Sequence, residues 1–184
     1  IREGQDATAA TYAHMFSSLP NCGRPTRLMV YDLHTLQNRF YLHGNAVASL
    51  QTAIPLLKAK IREKGIDSIA FPDDGAAKRF SSMFNDMGDD LEIIICGKTR
   101  GEGDERTVTI QDGNASGRHI VVCDDLVQSG STLFETGKVL EEAGAASVSA
   151  FVTHGVFPNK SWKRFNHGGD RACFQTFWVT NSIP

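Results

Sequence analysis

The run HIVVCDDLVQSGST, residues 119–132, combines residue types that can bind a phosphorylated sugar. An apolar strand is predicted to end on two adjacent carboxylates, Asp124 and Asp125, which can hold ribose hydroxyls or a metal ion. Small and hydroxyl residues follow where a helix begins, so backbone N–H groups at the positive end of that helix can surround a phosphate. Carboxyl ends of strands in open α/β sheets are the usual place for ligands. We therefore predict a sugar-phosphate pocket whose phosphate loop consists of Gln128, Ser129, Gly130, Ser131 and Thr132.

A second acidic turn, FPDDGAAKR at residues 71–79, also follows a strand-like segment and precedes a helix. Gly75 permits a tight turn, and Asp73 and Asp74 can hold a metal ion. The N-terminus of the new helix offers a second anion site. An ordinary acidic turn with a helix cap would have the same sequence, so both interpretations stay open for this segment alone.

Residues 98–106, KTRGEGDER, contain no apolar side chain and include two glycines, which predicts a solvated, mobile hairpin loop. Lys98 and Arg100 stand two apart, a spacing that places both cations on one side of an extended segment. A closing loop with two cations could neutralise a transferring phosphoryl group. A solvated surface pair would look the same in the sequence.

A further motif lies in VYDLHTLQNRFY, residues 30–41, where Asp32 and His34 stand at the end of a predicted strand and Gln37 follows on the next turn. Asp-x-His at a strand end can hold a magnesium ion or a nucleotide phosphate, although a lone histidine is more often structural. Two more strand ends have polar residues that could lie at the same edge of the sheet as these motifs, or that could serve only in packing and capping. These residues are Thr153, His154 and Asn181.

Composition excludes several classes of function. A formal charge of −2 gives no reason to expect binding to nucleic acid or to a membrane surface, and no apolar stretch approaches the roughly 20 residues that span a bilayer. The four cysteines are scattered without metal-ligand spacing, which favours free thiols in a reducing compartment such as the cytoplasm. Because the chain of 184 residues opens on Ile1 rather than methionine, we expect it to be part of a longer protein.

Strand-like and helix-like segments alternate along the chain, which predicts an α/β fold with a mostly parallel sheet and flanking helices. A helix is predicted from Pro55, which suits a first turn, to Gly65, which suits the stop. A second helix is predicted after the phosphate loop, with Thr132 and Glu135 as a capping box and Gly144 as its end. The predicted strands are residues 28–32, 68–72, 91–97, 120–124, 148–154 and 176–180.

Taken in order, the motifs DLHTLQ, PDDG, KTR, DDLVQSGST, THGVF and VTNSIP resemble those of ribose-phosphate diphosphokinases, also called phosphoribosyl pyrophosphate synthetases. The forms DDLVQSG and VTHGVFPNKSWKRF are similar to the plant-type branch. The resemblance implies a phosphoribosyltransferase-like fold. It also implies that residues 1–51 form the C-terminal part of a first such domain, and that residues 52–184 form a second domain with the ribose-phosphate loop.

The resemblance further implies a reaction in which ATP and ribose 5-phosphate give phosphoribosyl diphosphate and AMP, with Mg²⁺ as cofactor in a homo-oligomer. Lys98 and Arg100 would then be catalytic, and the phosphate loop with Asp124 and Asp125 would bind ribose 5-phosphate. The implied diphosphate loop is Asp73, Asp74 and Gly75, the ATP-binding residues are His34 and Gln37, and the metal ligands are Asp32, His34 and Asp73.

Two alternatives to this activity remain open. One is a catalytically silent homologue that acts as a regulatory or associated subunit. The other is a phosphoribosyltransferase that uses phosphoribosyl diphosphate to modify a base, because that class shares the ribose-phosphate loop. The segments KTR and DLHTLQ favour the diphosphokinase over the base transferase, since a base transferase needs no ATP-facing loop of that type.

Overall fold

The computed structural model describes residues 8–20, 23–88, 90–100, 106–170 and 172–183. Its contacts divide the chain into two compact units, Ile1–Thr52 and Ala53–Pro184. The division falls one residue after the predicted boundary. The assignment of the units to a first and a second phosphoribosyltransferase-like domain stays a prediction.

The first unit contains helix α1 (Thr8–Ser17), strand β1 (Thr26–Tyr31), a 3₁₀ segment (Leu36–Tyr41) and strand β2 (Ala46–Gln51). The two strands are parallel and pair from Thr26 with Ala46 to Tyr31 with Gln51. Strand β2 was not predicted, because its sequence AVASLQ mixes small, apolar and polar residues without a clear period of two.

The second unit contains helices α2 (Ile54–Lys64), α3 (Asp74–Phe80) and α4 (Ser131–Glu142). Its strands are β3 (Ser68–Phe71), β4 (Glu92–Arg100), β5 (Arg106–Asp112), β6 (His119–Val127), β7 (Ser147–Gly155) and β8 (Phe177–Val179). They form one sheet in the order β5-β4-β3-β6-β7-β8, in which β5 is antiparallel to β4 and the other neighbours are parallel. The predicted mostly parallel α/β sheet is confirmed.

The central strands are buried on both faces, which explains their nearly continuous apolar sequences. On one face, Leu57 of α2 and Phe80 of α3 pack with Val121 and Cys123 of β6. On the opposite face, Leu133 and Leu140 of α4 pack with Val122 of β6 and Ala150 of β7. The sheet is therefore held rigidly between two apolar layers, and the polar residues at its carboxyl end are positioned by that core.

The termini of α2 agree with the predicted signals. Pro55 lies in the first turn, and Gly65 ends the helix in a left-handed conformation at φ 64°, with its N–H donated to the carbonyl of Ile61. Gly144, with φ 88°, follows the last turn of α4 as predicted. The described part of the chain includes no helix with the length and apolarity that crossing a lipid bilayer requires.

Three expectations about element boundaries were wrong. Residues 98–100 belong to strand β4 and pair with β5, so the predicted loop is shorter, and residues 101–105 lie outside the described part of the chain. Strand β6 continues past Asp124 to Val127, because Leu126 and Val127 still pair with β7. The predicted capping box of Thr132 and Glu135 does not form, since the N-cap of α4 is Gly130, which makes no side-chain cap hydrogen bond.

Candidate active site

The predicted phosphate loop, residues 128–132, follows β6, and its last two residues, Ser131 and Thr132, are the first two residues of α4. Gly130 adopts a left-handed conformation with φ 75° immediately before the first helical residue, Ser131. The hydroxyls of Ser129 and Ser131 lie 3.2 Å apart, and Ser131 N–H points to Ser129 Oγ at 3.5 Å. Since α4 has twelve residues and its first N–H groups have no acceptor within the helix, its N-terminus favours an anion at this loop.

The two carboxylates at the end of β6 differ in their surroundings. Burial is the main cause that raises the pKa of the Asp124 carboxyl from 3.8 to about 7, and the negative charge of Asp125 adds to it. The charge of Asp73 contributes more weakly in the same direction. In addition, Asp124 Oδ1 accepts the N–H of Asp125 at 2.8 Å. A cation or hydroxyl donors at Asp124 would therefore stabilise its ionised form.

Asp125 is almost completely buried, with a side-chain exposure of 2%, and forms an ion pair with Arg79 of α3. Sequence reasoning treated both carboxylates alike, as ligands for the sugar hydroxyls. The structure instead separates a partly accessible Asp124 from a buried Asp125, although the assignment of Asp125 to sugar binding stays a prediction. Arg79 was not identified from the sequence, because a helical cation 46 residues away gives no local signal of the pairing.

The predicted diphosphate loop follows β3, the strand beside β6, so the two acidic turns lie at the same edge of the sheet. Asp73 caps α3, and its carboxylate accepts the N–H of Ala76 at 2.9 Å. An added Cβ at Gly75 would lie 3.1 Å from the Asp73 carboxylate, so a glycine allows the close approach of that carboxylate. Asp73 is therefore a helix cap in this structure, as one of the two interpretations of this turn predicted. The Asp74 side chain is exposed to solvent.

The structure brings Lys98 of β4 to the phosphate loop, where its Nζ donates a hydrogen bond to Thr132 Oγ1 at 3.0 Å. Because Lys98 is exposed and contacts Thr132, its ammonium group lies at the solvent-facing side of the predicted sugar-phosphate site. This contact joins two segments that were predicted separately, KTR and the ribose-phosphate loop. Arg100 lies two residues further along β4, and its side chain lies outside the described part of the structure.

Three of the predicted residues belong to the first unit. Asp32 follows β1, is buried, and has a positive φ of 40°, a conformation that is uncommon for a residue other than glycine. His34 is exposed after it, and Gln37 is exposed in the 3₁₀ segment. Their roles toward ATP and a metal ion stay predictions.

The residue chemistry of the second unit fits Mg²⁺. Asp73 and Asp124 offer hard carboxylate oxygens close enough for the charge of one to raise the pKa of the other. Mg²⁺ commonly binds through one or two carboxylates and completes its coordination with water and substrate phosphates. Within the ranges that the structure describes, no three His, Cys, Asp or Glu side chains lie together as a metal site made by protein alone.

The rim residues at the ends of β7 and β8 are connected by hydrogen bonds. His154 Nδ1 lies 2.7 Å from Ser182 Oγ, and the carbonyl of Thr153 accepts hydrogen bonds from Thr180 and Ser182. These contacts agree with the packing and capping interpretation of THGVF and VTNSIP. Sequence reasoning did not identify Ser182.

Comparison with known proteins places the chain in a family. Residues 45–178 match the family described as phosphoribosyl transferase domain. The chain is 47% identical over 190 residues to ribose-phosphate pyrophosphokinase 4 of Arabidopsis thaliana, an alignment that covers 99% of this chain and 54% of the relative. It is 46% identical over 189 residues to the chloroplastic ribose-phosphate pyrophosphokinase 3 of Oryza sativa subsp. japonica, with coverage of 99% and 45%.

A similar solved structure is that of phosphoribosylpyrophosphate synthetase from Mycobacterium smegmatis, with a TM-score of 0.75 and 25% sequence identity. The similarity covers 100% of this chain and 56% of that chain. The chain thus spans about half the length of the curated relatives that it matches. The predicted resemblance to plant-type ribose-phosphate diphosphokinases and the predicted phosphoribosyltransferase-like fold are confirmed. The chain belongs to the phosphoribosyl transferase domain family.

Proposed function

We propose that the whole protein is a ribose-phosphate diphosphokinase, which transfers the diphosphoryl group of ATP to ribose 5-phosphate and so supplies phosphoribosyl diphosphate for nucleotide biosynthesis. The observation that carries the proposal is the hydrogen bond of 3.0 Å between Lys98 Nζ and Thr132 Oγ1. It combines a cation suited to phosphoryl transfer with a phosphate loop suited to a sugar phosphate. The identity of 46–47% to plant proteins named ribose-phosphate pyrophosphokinase supports the same activity.

The phosphate loop would hold the acceptor substrate. Its backbone N–H groups and the positive end of α4 would surround the 5-phosphate of the sugar. Asp124, which lies before the loop on β6, would then accept hydrogen bonds from the ribose hydroxyls. Two attachment points fix the orientation of the sugar, so its anomeric hydroxyl can be directed toward the second substrate.

In the transfer step, the anomeric oxygen attacks the β-phosphorus of ATP. A new bond forms between that oxygen and the β-phosphorus while the anomeric hydroxyl releases its proton to solvent. The bond between the β-phosphorus and the oxygen bridging to the α-phosphate breaks, and its electron pair leaves with AMP. Catalysis of this kind depends mainly on positioning and on neutralising the charge that spreads over the phosphoryl oxygens. Lys98, which already lies at the mouth of the phosphate loop, and Arg100 from the same strand would provide that neutralisation.

Asp32, His34 and Gln37 would serve the ATP side of the reaction, and Asp73 with Asp124 would hold Mg²⁺ in the second unit. When bound, Mg²⁺ would neutralise phosphate oxygens of the nucleotide. The N-cap position of Asp73 fixes the direction of its carboxylate before any ligand binds, because one oxygen already accepts the N–H of Ala76. Asp74 and Gly75 would complete the diphosphate loop.

The experiment that tests this function measures AMP production by the full-length protein from ATP and ribose 5-phosphate in the presence of Mg²⁺. Lys98→Ala should lower turnover about a hundredfold while largely keeping the affinity for ribose 5-phosphate, because the cation acts on the transferring group. Lys138→Ala provides the matched control, since Lys138 is an exposed lysine of α4 paired with Glu141 at 3.2 Å. Absence of AMP above background would favour the silent homologue instead. Consumption of phosphoribosyl diphosphate with a free base would favour the base transferase.

Three wider proposals accompany this function. Residues 1–51 and 52–184 would belong to two successive phosphoribosyltransferase-like domains, which limited proteolysis of the full-length protein can test at the boundary. A homo-oligomer is expected by resemblance and can be measured by light scattering. A cytoplasmic location is supported by the buried reduced thiols of Cys96 and Cys173, although some relatives are named chloroplastic or mitochondrial, so fractionation must separate the cytoplasm from both organelles.

A further inference from the structure

The phosphate loop has a neighbour to which no role in the site has been assigned, the 3₁₀ segment Pro158–Phe165. Ser161 Oγ donates a hydrogen bond to the carbonyl of Gln128 at 3.3 Å. At the other end of the segment, the ring of Phe165 lies against Gly130, where an added Cβ would be 2.3 Å from Phe165 Cζ. The segment therefore contacts the loop at two places, once through a side-chain donor and once through an aromatic ring.

Phe165 is held in turn by three other aromatic rings. Its ring centre lies 5.1 Å from Phe177, 6.0 Å from Phe174 and 6.2 Å from Phe157. Such distances are typical of favourable aromatic pairs, so the ring is fixed in position by several neighbours. Because the ring is fixed, it limits the conformations available to Gly130.

The backbone of the segment provides an independent observation. Phe157, Asn159 and Lys160 all have positive φ, at 41°, 55° and 59°. Residues other than glycine rarely adopt this conformation, and it persists only where surrounding contacts hold it. The aromatic cluster supplies such contacts through Phe157, which opens the unusual stretch, and through Phe165, the last residue of the segment.

We infer that Ser161 and Phe165 are positioning residues that hold the phosphate loop in the conformation that binds the sugar 5-phosphate. The contacts that position the loop are a property of the fold, whereas their effect on the affinity for ribose 5-phosphate rests on the proposed function. Loss of either contact should let residues 128–132 sample other conformations. Only a fraction of molecules would then be ready to bind, which weakens the apparent affinity.

The test compares Phe165→Leu with Phe174→Leu in the full-length protein by hydrogen exchange at residues 128–132. Both substitutions shorten a ring of the same cluster, but Phe174 lies against Gly137 of α4 and not against Gly130. Phe165→Leu should speed loop exchange about fivefold or more, whereas Phe174→Leu, which leaves Phe157 and Phe177 packed against Phe165, should speed it less than about twofold. Ser161→Ala should also speed exchange, while Ser161→Thr, which keeps a hydroxyl donor, should restore most of the protection. Equal exchange in the two leucine variants would overturn the inference.

A second readout links the loop to the substrate. Phe165→Leu should raise the dissociation constant and the KM for ribose 5-phosphate about five- to tenfold, with kcat changed less than about twofold. Phe174→Leu should raise both constants less than about twofold, and an equal rise in the two variants would overturn the role in substrate binding. If the wild-type protein neither binds ribose 5-phosphate nor forms AMP, the proposed function fails, while the hydrogen-exchange comparison still decides the positioning role.

Discussion

Replacement of Asp124 by Asn should stabilise the folded protein, and the gain should increase with pH. The fold raises the pKa of this carboxyl from 3.8 to about 7, chiefly by burial and next by the charge of Asp125. A carboxyl whose pKa is raised on folding makes its full contribution to stability only at pH values below the pKa that it has in the unfolded chain. That contribution is lost as the pH rises through the folded value. Above about pH 7, the folded protein must therefore hold a carboxylate that would be better solvated in the unfolded chain.

The pKa change sets the size of the effect. Each unit of pKa shift corresponds to about 1.4 kcal/mol. A rise of the pKa from 3.8 to about 7 therefore lowers the free energy of unfolding by at most about 4 kcal/mol once the carboxyl is ionised. At about pH 5 only part of this penalty has developed, so the advantage of Asp124→Asn should grow by up to about 3 kcal/mol between about pH 5 and about pH 8.

Urea unfolding of the wild type and the variant across this pH range measures the free energy of unfolding directly. Asp90→Asn, at an exposed position of the same unit, is the control for a general loss of negative charge. A gain that stays constant with pH, or a variant that loses stability at about pH 8, would refute the account of the Asp124 environment.

Three other perturbations test the remaining parts of the site. Arg79→Gln should cost about 3 kcal/mol in urea unfolding because it removes the cation that pairs with buried Asp125, and Asp125→Asn in the same protein should recover part of this loss. Full loss without recovery in the double variant would contradict the pairing. Calorimetric affinity for ribose 5-phosphate should rise as the pH increases through about 7, because the ionised Asp124 is the better acceptor, and a pH-independent affinity would argue against its contact with the sugar. Thr132→Val keeps the side-chain shape but removes a phosphate-loop hydroxyl, which accepts from Lys98 and would itself donate to the sugar 5-phosphate, so affinity for ribose 5-phosphate should fall about fivefold with stability changed by less than about 0.5 kcal/mol.

The sequence predicted those parts of the fold that depend on local patterns. The buried strands β3, β6 and β7 carry continuous apolar runs, and Pro55 and Gly65 mark the ends of α2. The phosphate loop was predicted because its strand, small residues and helix are contiguous in the chain. Strand β5 was missed although RTVTIQD alternates polar and apolar residues, as a half-buried strand does, because this short stretch lies beside a highly polar segment.

Contacts between segments that are distant in the sequence could not be predicted from local patterns. The ion pair of Arg79 with Asp125 and the hydrogen bond of Lys98 with Thr132 join residues 46 and 34 positions apart, and strand order decides whether they meet. The position of Phe165 against Gly130 likewise depends on the backbone conformation at Phe157, and no residue pattern near Gly130 indicates it. Differences between Asp124 and Asp125 arise from packing, because the two residues are chemically identical in the sequence.

The proposed function requires the protein to transfer a diphosphoryl group in one step. Incubation of the full-length protein with ribose 5-phosphate and ATP labelled separately at the α-, β- and γ-phosphates distinguishes this step from transfer of a single phosphoryl group. We expect the β- and γ-labels to appear together in the sugar product while the α-label remains in AMP. Transfer of the γ-label alone, with ADP as the product, or no transfer at all would contradict the proposed function.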